Sequence, residues 1–133
     1  MNKTNPRGSG SFAMNENTSV AIGDYAFIEG KDNSAEGKCA HAEGWGSDAH
    51  GEASHAEGDS YAEGPYSHAE GYGMTVGEES EYSHAEGYGT ATYAKAAHAG
   101  GIYTWATAEA QMAIGKYNAQ DDTKAFIIGN GTG

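Results

Sequence analysis

His41-Ala42-Glu43-Gly44, His55-Ala56-Glu57-Gly58, His68-Ala69-Glu70-Gly71 and His84-Ala85-Glu86-Gly87 are four copies of one tetrapeptide, and Ser34-Ala35-Glu36-Gly37 and Tyr61-Ala62-Glu63-Gly64 are near copies in the same register. Their glycines belong to a series at Gly23, Gly30, Gly37, Gly44, Gly51, Gly58, Gly64, Gly71, Gly77 and Gly87, mostly seven apart. Counting onward by sevens reaches Ala94, Gly101, Ala108 and Gly115, so one period runs through most of the chain. A repeat this regular has to be read before any single element, because it defines the architecture.

Seven is also the coiled-coil period, but that architecture needs apolar residues at two heptad positions and good helix formers between them. Here the fixed positions are glycine and alanine. Within a unit the small residues alternate, as Ser54, Ala56 and Gly58 do around His55 and Glu57, and a period of two is the strand signal. Each heptad therefore reads as a short strand and a tight turn. Short strands must pair their backbone groups, and successive coils of a solenoid supply the partners. The helical propensity of residues 104–113, which hold Ala106, Ala108, Ala110 and Ala113, is overruled by the persisting register.

The histidines show that a coil is two heptads long. His41, His55, His68, His84 and His98 fall in every second unit, while Ser34, Asp48, Tyr61, Met74, Ala91 and Trp105 take the equivalent place in the others. One wall is uniform, beginning with Phe27 and Glu29 and repeating His-x-Glu. The other varies. Uniformity points to a surface that meets copies of itself, and variety to solvent. About seven coils fit between Ser19 and Gly115 and would stack roughly 30 Å tall at the usual strand spacing.

Composition agrees with a roll that has almost no bulky interior. Glycine (21) and alanine (23) fill a third of 133 residues, leucine is absent, Ile, Val and Phe together number 11, and the formal charge is -12. By composition alone this is an acidic disordered chain, and a packed globule, a helical bundle or a Rossmann-type sheet would lack the aliphatic side chains it must bury. A roll of small residues needs support that its own core does not supply, and association through one wall is the simplest source. No apolar stretch reaches 18 residues, so no helix spans a bilayer, and residues 1–10 show no secretory signal. Seven basic against 19 acidic residues argue against nucleic acid. The single cysteine, Cys39, has no partner in the chain for a disulfide and reads as a turn residue.

The run Asn17-Thr18-Ser19-Val20-Ala21-Ile22-Gly23 resembles the head repeat of YadA-type trimeric autotransporter adhesins, and the Ser-His-Ala-Glu-Gly units are similar to the variant found in phage or prophage tail fibres and appendages. Ala113-Ile114-Gly115-Lys116-Tyr117-Asn118 and Ala125-Phe126-Ile127-Ile128-Gly129-Asn130-Gly131-Thr132 resemble the segment that closes such arrays. The resemblance covers roughly residues 11–132. It implies an all-β, left-handed parallel β-roll of about 14 residues per coil, assembled as a parallel homotrimer on a virion or bacterial cell surface. The expected organisation is a flexible segment over residues 1–10, the roll over 11–115, and a closing segment over 116–133 that continues into a further domain. The insertion Glu78-Glu79-Ser80-Glu81-Tyr82 and the alanines at 94 and 108 depart from the pattern.

Two constellations carry candidate chemistry. The first is the ladder of His41, Glu43, His55, Glu57, His68, Glu70, His84, Glu86 and His98, expected at the trimer interface. Its first reading is structural, with imidazole and carboxylate satisfying one another where neighbouring chains replace water. A metal-binding ladder is the second alternative; because a dedicated site needs one constellation rather than four, no metal or cofactor is assigned. Six histidines make pH dependence of assembly between roughly pH 5 and 8 an expectation without a sign. The second constellation is aromatic. Trp45, Tyr72 and Tyr88 each follow a unit glycine and can stack as a stripe, and Tyr61, Tyr93 and Trp105 lie on the variable wall, all candidates for a cell-surface glycan or a receptor. Catalysis has no support. Cys39 and His41 lack an orienting third group, and His50 and His55 do not have the spacing of a zinc-hydrolase helix. The sequence therefore reads as a non-enzymatic trimeric fibre or head segment, with glycan or receptor binding as the alternative.

Overall fold

The computed structural model describes residues 6–16 and 19–131, and among them every regular element is a strand. In chain order these are β1 (Phe12–Glu16), β2 (Val20–Ala21), β3 (Phe27–Lys31), β4 (Ser34–Ala35), β5 (His41–Trp45), β6 (Asp48–Ala49), β7 (His55–Ala62), β8 (His68–Val76), β9 (His84–Tyr88), β10 (Ala91–Thr92), β11 (His98–Ile102), β12 (Trp105–Ala106), β13 (Met112–Lys116) and β14 (Phe126–Asn130). All pairings are parallel. The protein is a parallel β-solenoid of roughly eight turns, each about 14 residues long. One wall runs β1-β3-β5-β7-β8-β9-β11-β13-β14 without a break. The opposite wall is made of the short strands together with the second halves of β7 and β8. The expected register holds: His41, His55, His68, His84 and His98 are successive partners on the long wall.

The interior is as small as the composition requires. Ala42, Ala56, Ala69, Ala85, Ala99 and Ala113 on the long wall and Ala35, Ala49, Ala62 and Ala106 on the short wall are fully buried. Corner hydroxyls cap the turns, with Ser54, Ser67 and Ser83 each donating to the carbonyl three residues back. Asn33 knits two coils, donating to the carbonyls of Glu29 and Gly44 and accepting from the Ser47 amide. Cys39 lies exposed at a turn in the left-handed region, φ 58°.

Met74 is not on the variable wall. It is fully buried and pairs with Ser60, while Thr75 pairs with Tyr61 and Val76 with Ala62. Gly77 stands at the place of Glu63 rather than Gly64, since the Glu63 amide bonds to the Val76 carbonyl and the Gly77 amide to that of Thr92 in the same row, so counting back from it falls one residue short; the coils also differ in length. His55 and His68 are partners 13 residues apart and His68 and His84 are partners 16 apart, against 14 for His41 and His55. The first coil loses one residue at a corner, where β7 shifts register between Asp59 and Ser60. The second gains two in the turn around Glu78 and Glu79, where the Ser80 amide closes onto the Gly77 carbonyl. The alanines at 94 and 108 leave the register intact, since Ala91 pairs with Trp105 and His98 with Met112.

Both flanks of the expected roll also wind with it. Residues 1–5 of the expected flexible segment lie outside the described residues. The Arg7 amide bonds to the Ala21 carbonyl and the Tyr25 amide to the Ser9 carbonyl, so the first turn is under way before residue 11. At the other end β14 continues β13 in register. The connection between them is held by Gln111, which is fully buried: its Nε2 donates to the carbonyls of Asp121 and Lys124, and its Oε1 accepts from the Thr107 amide. Replacing Gln111 by Ala leaves those groups unpaired, and a loss of about 2 kcal/mol is expected, read as a lower urea midpoint with faster amide exchange confined to residues 119–130.

Candidate functional site

The long wall carries the ladder because residues two apart on a strand share a face and partner strands stand about 4.8 Å apart. The rings of His41, His55, His68 and His84 form one stack, with centroid separations of 4.5, 4.7 and 4.8 Å and interplanar angles of 3° or less. Phe27 closes the lower end edge-on against His41, and Phe12 stacks beneath it. His98 continues the register, but its ring turns 67° away from His84. The coil of His98 has Gly100 where the others have glutamate, and Met112 follows above, so no carboxylate holds that ring from its own strand.

His55 and His68 each lie between carboxylates of their own and the preceding coil, whereas His41 meets only its own coil's Glu43, and His84 and His98 only Glu70 and Glu86 of the coil before. Glu43 approaches Nε2 of His41 to 4.0 Å and that of His55 to 3.4 Å; Glu57 approaches His55 to 3.8 Å and His68 to 4.0 Å; Glu70 approaches His68 to 3.9 Å and His84 to 3.8 Å. The shortest, Glu43 to His55, is within hydrogen-bond reach, but none has full hydrogen-bond geometry. The Nε2 atoms of His41, His55, His68 and His84 are enclosed and without a hydrogen-bond partner, although the side chains as a whole are about one-third exposed. Beside the ladder, Glu57, Glu70 and Glu86 line an open groove of about 520 Å³ whose floor is Gly71, Gly87 and Gly101.

Burial pushes the pKa of His55, His68 and His84 below the ordinary imidazole value of 6.5, and the neighbouring imidazoles push the same way against the pull of the glutamates. At neutral pH these three rings therefore meet the glutamates as neutral imidazoles rather than as imidazolium ions. The direction gives a sign for the pH dependence of the chain's folding stability. Between the lowered pKa values and 6.5 the unfolded chain binds more protons than the folded one, so stability is full above about pH 6.5 and falls as the pH drops through that window. The groups facing the three rings are Glu43, Glu57, Glu70, Glu86, His41 and His98. In chelator-treated buffer the urea midpoint at pH 5.5 is expected below that at pH 7.5. A midpoint that rises on acidification would contradict this.

The aromatic residues divide differently from their expected stripe. Tyr72 and Tyr88 stack at 5.6 Å, Tyr103 packs edge-on against Tyr88 at 5.0 Å, and Tyr117 stacks on Tyr103 at 5.3 Å. Trp45 is outside this column, because Asp59 stands between it and Tyr72 in the register; its ring instead lies under the Lys31 ammonium. Tyr61 and Trp105 occupy the same row of the short wall, separated by Thr75 and Ala91, and Tyr93 directly follows β10, its amide bonded to the Ala106 carbonyl. Sequence reading missed Tyr117 and the Tyr66–Tyr82 stack, which Lys95 covers while bonding to Glu81. Tyr103, Trp105, Tyr117, Asn118 and Gln120 surround a hollow of about 390 Å³.

No family model and no curated protein matches the chain.

Proposed function

We propose that the protein is a non-enzymatic, rigid segment of a trimeric fibre or surface head, of the YadA-like kind, in which three parallel copies meet through the long wall. The observation that carries this reading is the composition of that one face along its length. Phe12 and Met14 at one end, and Met112, Phe126 and Ile128 at the other, are exposed in the same two outward rows that hold His and Glu in the middle. A face that is apolar at both ends and carries half-buried polar rows between them is suited to being covered by its own copies, since identical rows meet in register around a symmetry axis. The interior adds support: it is mostly alanine, so the area buried within one chain is small for its length. Three copies side by side on a virion or cell surface would present each exposed row threefold, and weak contacts with a host would add as avidity. The double variant Phe126→Lys, Ile128→Lys tests the reading. It is expected to lower the molar mass and the protease resistance together, and unchanged values for both would contradict it.

A second reading has its own observation. The tyrosine column ends at the hollow beside Trp105, where aromatic faces adjoin the amides of Asn118 and Gln120, which is chemistry suited to a sugar ring. A glycan array separates the two: saturable binding lost in Tyr117→Ala supports the ligand-binding module, and an empty array leaves the spacer.

A further inference from the structure

We propose that the His/Glu ladder is a linear array of divalent transition-metal sites, each made by two imidazoles from consecutive coils and the glutamate between them, and that one chain holds two such ions at a time. The donor atoms of His41, Glu43 and His55, of His55, Glu57 and His68, and of His68, Glu70 and His84 each lie within 4.8 Å of one another. Donors around a tetrahedral zinc stand about 3.3 Å apart. The His55 Nε2 to Glu43 Oε1 separation is already 3.4 Å, and closing the rest takes up to about 1.5 Å of side-chain movement that tilts the stacked rings toward each other. The second, independent observation is the state of the nitrogens. Four Nε2 atoms, one on each stacked ring, are shut off from solvent with no hydrogen-bond partner, and buried polar atoms in that condition call for a partner the chain does not supply. Two imidazoles and a carboxylate suit zinc, copper, nickel or cobalt, whereas calcium and magnesium prefer oxygen alone. Three protein donors leave a position for water.

The count follows from sharing. His55 and His68 each belong to two of the three sets, and one Nε2 lone pair binds one ion. The sets at either end, around Glu43 and Glu70, fill together; the middle set, around Glu57, fills only if both are empty. His98, turned away and outside these sets, and His50, on the other wall, take no part. Each set is complete within one chain, so binding does not depend on association. A failure here and a failure of the trimeric reading are separate results, the first read from metal content and the second from molar mass.

The experiment is equilibrium dialysis of the full, tag-free chain, stripped with chelator, against Zn²⁺ at pH 7.5, with metal analysis of the protein. Co²⁺ serves as the spectroscopic probe. Two Zn²⁺ per chain and a visible Co²⁺ spectrum of low-symmetry nitrogen and oxygen coordination are expected. His55→Gln and His68→Gln should each reduce the count to one, and the double variant to none. Glu57→Gln and His50→Gln should leave it at two. Should the histidine variants lose the strand signal in circular dichroism, Glu43→Gln and Glu70→Gln, each expected to weaken one site at least tenfold, carry the test instead. Absence of saturable binding, three ions per chain, or a folded double variant that keeps two ions would overturn the proposal.

Discussion

Gly71→Ala is expected to prevent the roll from folding, while Gly73→Ala, two residues along the same strand, is expected to be tolerated. Gly71 has φ +122°, far from the regions open to residues with a Cβ, and a Cβ there would lie 2.2 Å from the carbonyl oxygen of Gly87 and 3.1 Å from its carbonyl carbon. The obstruction is the backbone of the next coil, which is fixed by its own ladder of hydrogen bonds and cannot rotate aside as a side chain would. Strained backbone alone costs about 1–3 kcal/mol; with the collision added, a loss above roughly 3 kcal/mol is expected, a large fraction of a domain's whole stability. Gly73 is also left-handed, at φ +69°, but a Cβ there meets nothing within 4 Å. Its replacement costs only the left-handed preference, about 1–2 kcal/mol. Circular dichroism and urea titration of the two variants decide the matter. Equal effects would mean that the coils are not stacked as closely as the structure has them.

Ala69→Leu is the second large effect. Ala69 is fully buried at the middle of the long wall, and the Ser60 hydroxyl donates across the interior to its carbonyl. Both walls nearby present alanine, at Ala56, Ala62 and Ala85. Met74 and Val76 of the same coil, also fully buried, already fill interior space beside it, so forcing added carbon atoms in separates the two walls and breaks that hydrogen bond. Overpacking of a tight core costs about 1–3 kcal/mol, and the upper end or beyond is expected here. Val76→Leu, at a site that already holds a larger residue in the same row, should cost less. The ranking is read from urea midpoints, and an Ala69→Leu variant as stable as Val76→Leu would contradict an interior this narrow.

The architecture was legible because the repeat places small residues at fixed intervals, and only stacked strands use such a pattern. Met74 escaped because Gly77 falls one residue before the place of a unit glycine, being the counterpart of Glu63, and the two extra residues of that coil come only in the turn after it. Counting glycines does not show this one-residue offset. The ladder was legible from spacing alone, since residues one coil apart must stack. Its enclosed nitrogens were not, because they depend on how ring and carboxylate rotamers fill the space between coils. The same limit hid the turn of His98, although Gly100 in place of glutamate was a usable signal. Tyr103 and Tyr117 sit in turns with positive φ, at 50° and 48°, where other coils place Gly46, Gly73 and Gly89. That they nevertheless join Tyr88 in a column follows from the ring of Tyr103 lying over Gly89, a contact that strand register alone does not show.

The ladder, the acidic groove and the exposed apolar ends all lie on one wall, and what that wall faces is the centre of the account. Sedimentation equilibrium of the unmodified chain, over a wide concentration range at pH 7.5 in the presence of chelator, tests it most directly. A single species of three times the 13.8 kDa chain mass is expected. A well-folded monomer across the whole range would contradict it.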